Sequence, residues 1–316
     1  MIGELVLDDR EGPLRLVQAL QLAGHMKRKP RDVAMELLGS IRQADEGGWF
    51  RDLTVAGPGF INVVLSEGAW QEVLANALTK GERFGAVDRK EGERVLLEFV
   101  SANPTGPLHV GHGRGAVVGD ALARILAFTG CQVTTEYYVN DVGNQIDCLG
   151  KSLYARYLQL CGKKAELPED GYRGEYLVDL AREFREEVGD RYLPVEEEEA
   201  FPVFRKVACD RILNGIRKDL ETFHVHIDRW FREESLHESG SVAAIVDELR
   251  ERGQLYESEG AVYFKSESHG DEKDRVLVRA DGRTTYFASD LAYHRAKLRQ
   301  GFTKLIDIWG ADHHGY

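Results

Sequence analysis

The sequence predicts an α/β protein in two parts. A small α/β domain occupies residues 1–90, and a larger domain over 91–316 is built on a parallel sheet, with a helical insertion at about 151–203. Three observations carry this. Val95 to Val100 is apolar on both parities, the pattern of a strand covered on both faces. A loop holding Pro104 and Pro107 follows, then Gly115 to Phe128 with helical spacing, then a second strand-length run at Gln132 to Val139. Upstream, Phe50–Val55 and Phe60–Leu65 are two short strands joined by a turn at Gly57-Pro58-Gly59, outside that unit.

The chain has 316 residues, enough for two domains, and its 43% hydrophobic and 30% charged content suits a sizeable core. No apolar run approaches a membrane span, and no charged-then-apolar leader marks export. Cys131, Cys148, Cys161 and Cys209 are widely spaced without a CxxC pair, as reduced thiols of a cytoplasmic protein would be. The net charge of −12 argues against nonspecific nucleic-acid binding but leaves room for a local basic surface.

In the first domain, Arg31 to Ile41 has helical periodicity, and Lys27-Arg28-Lys29-Pro30-Arg31 places a basic cluster at its start, as a solvated turn would. A further helix is expected over Ala69 to Leu78, after Ser66 and Glu67. Gly81 to Gly92 reads as a charged connector.

The second domain opens on its most informative stretch. His109 and His112 fall where the helix begins, and a separation of three puts both on one face. A helix N-terminus offers unpaired N–H groups and a partial positive charge, which suits phosphate. Gly111 has no side chain to keep a flat ring off the backbone. These features describe a nucleotide site. Glu98 lies near the end of the preceding buried strand, where a carboxylate is costly unless paired. Its partner is either a cationic substrate bound at the strand's C-terminal end or an internal group such as a backbone N–H or an arginine. Asn140-Asp141-Val142-Gly143-Asn144-Gln145 follows the second strand on the same rim, as part of the site or simply as a turn.

Two other nucleotide signatures fail. Gly150-Lys151-Ser152 resembles a Walker loop, but Gln145 stands where that loop requires glycine. Gly111 to Ala116 approximates a dinucleotide fingerprint, but Pro104, Pro107 and His109 crowd its turn.

The insertion reads as helical and charged, with a solvated acidic run at Glu196 to Glu199, and Phe204 to Phe223 as a further amphipathic helix. His224, His226 and Asp228 alternate as on one face of a strand, either solvent-facing or metal-binding. Ser239–Arg252 reads as a helix and Ala261–Lys265 as a strand. Val276–Tyr286 reads as a hairpin turning at Asp281-Gly282. A helix is expected from Leu291 to Leu298. Tyr286 and Asp290 are four apart and face one ligand, unless Asp290 merely caps that helix. Lys304 to Trp309 is a last strand, ending at Gly310-Ala311-Asp312-His313-His314, where an acidic group can hold ribose hydroxyls.

Ala102-Asn103-Pro104-Thr105-Gly106-Pro107-Leu108-His109-Val110-Gly111-His112 resembles the His-x-Gly-His region of class I aminoacyl-tRNA synthetases. With Glu98-x-x-Ser101-x-Asn103-Pro104 before it, the chain resembles arginyl-tRNA synthetases in particular. The resemblance implies a Rossmann-like catalytic domain that activates L-arginine with ATP and Mg²⁺ and transfers it to tRNA(Arg), as an aminoacyl-tRNA ligase that needs bound tRNA for activation. It implies His109 and His112 as catalytic residues, and Pro104, Thr105, Gly106, His109, Gly111, His112, Gly310, Asp312 and His313 around ATP. It places Glu98, Ser101, Asn103, His109, Tyr286, Asp290 and His314 around arginine. It also implies a first domain that contacts the tRNA D-loop through Phe60 and Asn62. Read without it, Phe60 is core and Asn62 a strand-edge polar residue.

Two departures stand out. Glu11-Gly12-Pro13-Leu14-Arg15-Leu16-Val17 replaces the family's His-Gly-Asp-Phe-Ala-Thr-Asn-like segment. Nothing matches the family's Lys-Met-Ser-Lys-Ser-like loop or its helical anticodon-binding domain. The expectation is therefore an N-terminal portion of such an enzyme, monomeric, binding-competent and inactive alone. Another nucleotidyl transferase using the same histidine loop is the alternative.

Overall fold

The computed structural model describes residues 14–87 and 92–310, and divides at Ala86/Val87 into two compact units. In the first, β1 (Leu14–Leu16), β2 (Phe50–Ala56) and β3 (Phe60–Leu65) form an antiparallel sheet with β3 in the middle. Helices α1 (Gln18–Met26) and α2 (Pro30–Ala44) cover one face, burying Ala19, Ala23, Val33, Ala34 and Leu38 against Leu53, Ile61 and Val63. Pro30 opens α2, where its missing N–H costs nothing. Gly59 is required here, because a Cβ on it would lie 2.9 Å from the Pro30 carbonyl carbon. Helix α3 (Glu67–Lys80) is capped by Ser66, whose hydroxyl accepts from the Ala69 N–H at 3.2 Å.

The second unit is organised on four parallel strands in the order β10-β4-β5-β6, with ranges Lys304–Asp307, Arg94–Glu98, Gln132–Val139 and Arg229–Arg232. Helix α4 (Val110–Phe128) connects β4 to β5. Between β5 and β6 run α5 (Asn144–Leu160), α6 (Glu175–Val188) and α7 (Glu197–Thr222). Those helices close around Leu149, Leu153, Tyr157, Leu177, Phe184 and Phe204, all buried. The acidic run at 197–199 forms the first turn of α7, where the helix dipole favours negative charge. Gly150-Lys151-Ser152 lies inside α5, and Gly150 is a packing residue: a Cβ there would meet the Arg205 Cα at 2.7 Å.

After β6 come α8 (Glu234–Glu238) and α9 (Ser241–Glu251). A small antiparallel sheet follows, β7 (Leu255–Ser258), β8 (Ala261–Phe264) and β9 (Arg275–Val278) in that order. Helix α10 (Tyr286–Arg299) leads back to β10 beside β4. Strand order therefore runs outward from β4 in both directions, so the crevice at the ends of β4 and β10 is the switch point where open α/β sheets bind ligands. No described helix is long and apolar enough to cross a membrane.

Two expectations are corrected. His224, His226 and Asp228 are not on a strand: His224 has φ +58 at the end of α7's turn, and the sheet strand begins only at Arg229. Asp228 is used internally, accepting from the Thr135 N–H at 2.8 Å and the Thr135 hydroxyl at 2.9 Å. Asp290 does not cap α10, because the helix starts at Tyr286 with Thr285 before it. Tyr286 and Asp290 are thus one helical turn apart on the same face.

Candidate active site

The chain turns sharply out of β4. Val100 and Ser101 have φ of +68 and +40, a region that a β-branched residue rarely enters and that costs on the order of 1–3 kcal/mol each. Side chains from the sheet and from α6 hold the strained loop. Tyr137 donates to the Ala102 carbonyl at 2.7 Å, and Tyr176 donates to the Thr105 carbonyl at 2.7 Å. The Ser101 hydroxyl accepts from the Tyr138 N–H at 3.1 Å, and the exposed Asn103 amide donates to Gln145 at 2.8 Å. Pro104 is buried, and Gly106 faces the Tyr176 ring.

The loop delivers His109 to the N-cap of α4. Its Nδ1 accepts from the Gly111 N–H at 3.1 Å, and the His112 Nδ1 accepts from the His109 N–H at 3.3 Å. The two rings stack with centroids 3.7 Å apart. Because each Nδ1 is an acceptor, each neutral imidazole carries its proton on Nε2. Burial, and then the charge of His109, depress the His112 pKa, which favours the neutral form of His112. Gly111 makes the stack possible, since a Cβ there would sit 2.9 Å from the His109 Cε1. Two Nε2–H donors at a helix N-terminus form a cradle for an anionic phosphate chain.

On the same rim, Glu98 is buried at the end of β4. Ser101 Oγ donates to its Oε1 at 2.8 Å, while the Tyr293 hydroxyl and Lys297 Nζ donate to Oε2 at 2.7 and 2.6 Å. Its charge partner is therefore an internal lysine. Lys297 is 1% exposed and also donates to Asp307 at 2.6 Å; stripping one partner from such a buried pair costs about 3–5 kcal/mol.

Asp290 makes no such ion pair among the described residues. It keeps access to solvent, yet its carboxyl is pushed up to about 6, first by lost solvation and then by Glu233 and Glu98, against the pull of His294. Glu98 and Asp290 therefore lie within electrostatic reach of each other. Buried Glu233, which the sequence did not single out, takes hydrogen bonds from Tyr138 and Ser289, and burial raises its pKa. It lines a cavity of about 180 Å³ with Gly143, Arg279, Thr285, Tyr286 and Ser289. The exposed Tyr286 places its hydroxyl against Gly143 (φ +94), where a Cβ would fall 2.8 Å from it. Carboxylates beside a phenol can accept the N–H donors of one forked cation, and Arg279, Arg283 and His237 line the same cavity as Glu233.

Glu98, Ser101, Asn103, Pro104, Thr105, Gly106, His109, Gly111 and His112 thus share one rim of the sheet, and Asp290 joins them from α10. Gly310 follows β10 and is exposed; Asp312, His313 and His314 lie outside the described residues. Phe60 and Asn62 belong to the other unit. They alternate with core residues Ile61 and Val63, so both project from the sheet face away from α1 and α2. Asn62 sits on the central strand, paired with Arg15 and Thr54, and so is no strand-edge residue. Its buried Oδ1 has no hydrogen-bond partner among the described residues.

Sequence reasoning missed Glu233, Tyr293 and Lys297. The weak signal for the last two was their spacing of four on the predicted helix after Asp290.

Comparison with known proteins places these features in a family. Residues 73–308 match the family described as tRNA synthetases class I (R), catalytic domain, and residues 11–65 match the arginyl tRNA synthetase N terminal domain. An arginine–tRNA ligase from Geobacter sp. is 48% identical over 94% of this chain and 53% of its own length. One from Bacillus subtilis is 44% identical over 100% of this chain and 56% of its own. The solved arginyl-tRNA synthetase of Thermus thermophilus superposes with a TM-score of 0.62 at 25% identity, covering 92% of this chain and 48% of that one. The chain spans about half the length of the relatives it matches.

Proposed function

The chain belongs to the arginyl-tRNA synthetase family of class I tRNA synthetases, and on that premise we propose that it carries the ATP- and arginine-binding half of an arginine–tRNA ligase. In the complete reaction the arginine carboxylate attacks the α-phosphate of ATP, pyrophosphate leaves, and the arginyl group passes to the terminal ribose of tRNA(Arg). The observation that supports the reading is that Asp290 feels the charge of Glu98, which ends the strand leading into the histidine-capped helix, while Tyr286 lies one turn before Asp290 on α10.

Each group has a task set by its chemistry. Asp290 accepts the guanidinium fork, Tyr286 closes its edge, and the Oε1 of Glu98 accepts one further N–H. Asn103 binds the substrate's backbone polar groups near Gln145. His109 and His112 donate from Nε2 to the phosphates as negative charge builds, contributing positioning and charge stabilisation without a covalent intermediate. Gly310, with Asp312, His313 and His314 beyond it, contacts the adenosine end and the arginine. Mg²⁺ neutralises the triphosphate when bound. Phe60 and Asn62 supply a ring face and an amide edge for an unstacked tRNA base, and the Asn62 Oδ1, without a hydrogen-bond partner among the described residues, supports that role.

A non-hydrolysable arginyl-adenylate analogue tests the reading by calorimetry. It is expected to bind the chain at one site and to be lost on Asp290→Ala; undiminished binding by that variant refutes it. Pyrophosphate exchange with tRNA present is expected to be almost nil, since the chain spans half its relatives' length. Robust exchange would show that this half suffices.

A further inference from the structure

A row of charged residues crosses the sheet beneath the proposed arginine pocket. Asp307, Glu98, Glu136 and Arg229 are register partners on β10, β4, β5 and β6, so all four face the same side. Helix α10 lies over them with Tyr293 and Lys297 one turn apart. Lys297 bridges Glu98 and Asp307, and its Nζ stands 4.2 Å from the centre of the Tyr293 ring. Glu136 is fully buried; Arg229 approaches its Oε2 to 3.2 Å, but outside hydrogen-bond alignment. Tyr138 and Phe231 pack on the Tyr293 ring, with His294 beside it, so the row is walled in apolar surface.

The hydrogens in this row can be counted. The Tyr293 oxygen lies 2.7 Å from Glu98 Oε2 and 2.7 Å from Glu136 Oε1. A phenol has one hydrogen, so it donates to one carboxyl and must accept from the other. Glu98 already receives Lys297 and Ser101, which marks it as the ionised acceptor. Glu136 is then the donor. Burial raises the Glu136 pKa, with Tyr293, Arg229 and Lys297 opposing, which agrees with that assignment. The charges also balance: with Glu136 neutral, the acids Glu98 and Asp307 are matched by Lys297 and Arg229.

We propose that Glu136, Tyr293 and Lys297 are positioning residues for arginine recognition: Glu136 stores a proton and donates it to the Tyr293 oxygen, Tyr293 donates to Glu98, and Lys297 clamps the same Glu98 oxygen. This rests on the arginine-pocket reading and deepens it. With Oε2 saturated from below, Glu98 cannot rotate, and among the described residues its Oε1 accepts from Ser101 alone. The substrate meets one aimed lone pair on a carboxylate whose charge Lys297 already offsets. Such a site rewards directional N–H donors more than bare positive charge, favouring guanidinium over ammonium.

Two measurements on the full chain at pH 7.5 test this. Infrared spectroscopy is expected to show the carbonyl stretch of a protonated carboxylic acid that disappears in Glu136→Gln and survives in Glu233→Gln. An unchanged spectrum in Glu136→Gln overturns the stored proton. By calorimetry, Tyr293→Phe is expected to weaken arginine about tenfold, the worth of one hydrogen bond to a charged group, with ATP affinity unchanged. Glu136→Gln, whose amide still donates to Tyr293, is expected to keep arginine affinity within about twofold. Arginine affinity unmoved by Tyr293→Phe, or ATP affinity falling in parallel, overturns the positioning role. Failure of the unsubstituted chain to bind arginine would refute the pocket reading itself, while the infrared result would still decide where the proton sits.

Discussion

Replacing Asp290 by asparagine separates the cost of the empty pocket from its use. The Asp290 carboxyl is raised from 3.8 to about 6, chiefly by lost solvation, so the folded chain prefers its protonated form. A carboxyl raised on folding stabilises below its unfolded pKa and loses that contribution as pH rises through the folded value. At pH 7.5 the ionised side chain therefore burdens the unliganded protein. In a fully enclosed carboxyl a rise of this size would be worth about 3 kcal/mol, but this side chain is open to water, and solvent screening reduces the figure to about 1 kcal/mol. Asp290→Asn is expected to raise the unfolding midpoint at pH 7.5 by about 2–4 °C, with the gain vanishing near pH 4. The same variant should bind arginine at least about tenfold more weakly, having lost a charge-assisted pair. Scanning calorimetry at the two pH values and titration calorimetry with arginine read both effects. A variant destabilised at pH 7.5, with arginine affinity intact, would refute the reasoning.

Arginine affinity of the unsubstituted chain should fall about tenfold per pH unit below about 6, because the cation needs ionised Asp290; a flat titration between pH 5 and 7 contradicts this. Gly111→Ala drives a methyl against the His109 ring and should weaken ATP binding at least about tenfold while leaving arginine unaffected, checked by titrating each ligand separately. Phe60→Ala and Asn62→Ala should each weaken tRNA(Arg) binding about tenfold in a filter-binding assay, with no change in arginine affinity.

The histidine loop was legible because its parts are local. An apolar run on both parities, two prolines and a glycine between histidines specify strand, turn and helix start within about twenty residues. The corrections have equally physical origins. Strand β6 reads Arg-Trp-Phe-Arg, half-buried at the sheet edge, and lacks the unbroken apolar run of β4. Tyr286-Phe287 looks like the end of a hairpin strand, but the helix starts there after Thr285, which removes the alternative that Asp290 is a cap. The buried lysine was the hardest to foresee. Lys297 reads as one more cation on a charged helix, and its burial depends on Glu98 and Asp307, which only β4–β10 pairing brings together. Charge pairing across 199 residues leaves no local trace.

Competition between arginine and lysine for the unsubstituted chain tests the forked-cation pocket most directly. Titration calorimetry should show arginine binding at a single site and lysine at least about tenfold weaker, since an ammonium cannot satisfy Asp290 and the single aimed oxygen of Glu98 together. Equal affinities for the two amino acids would contradict the account.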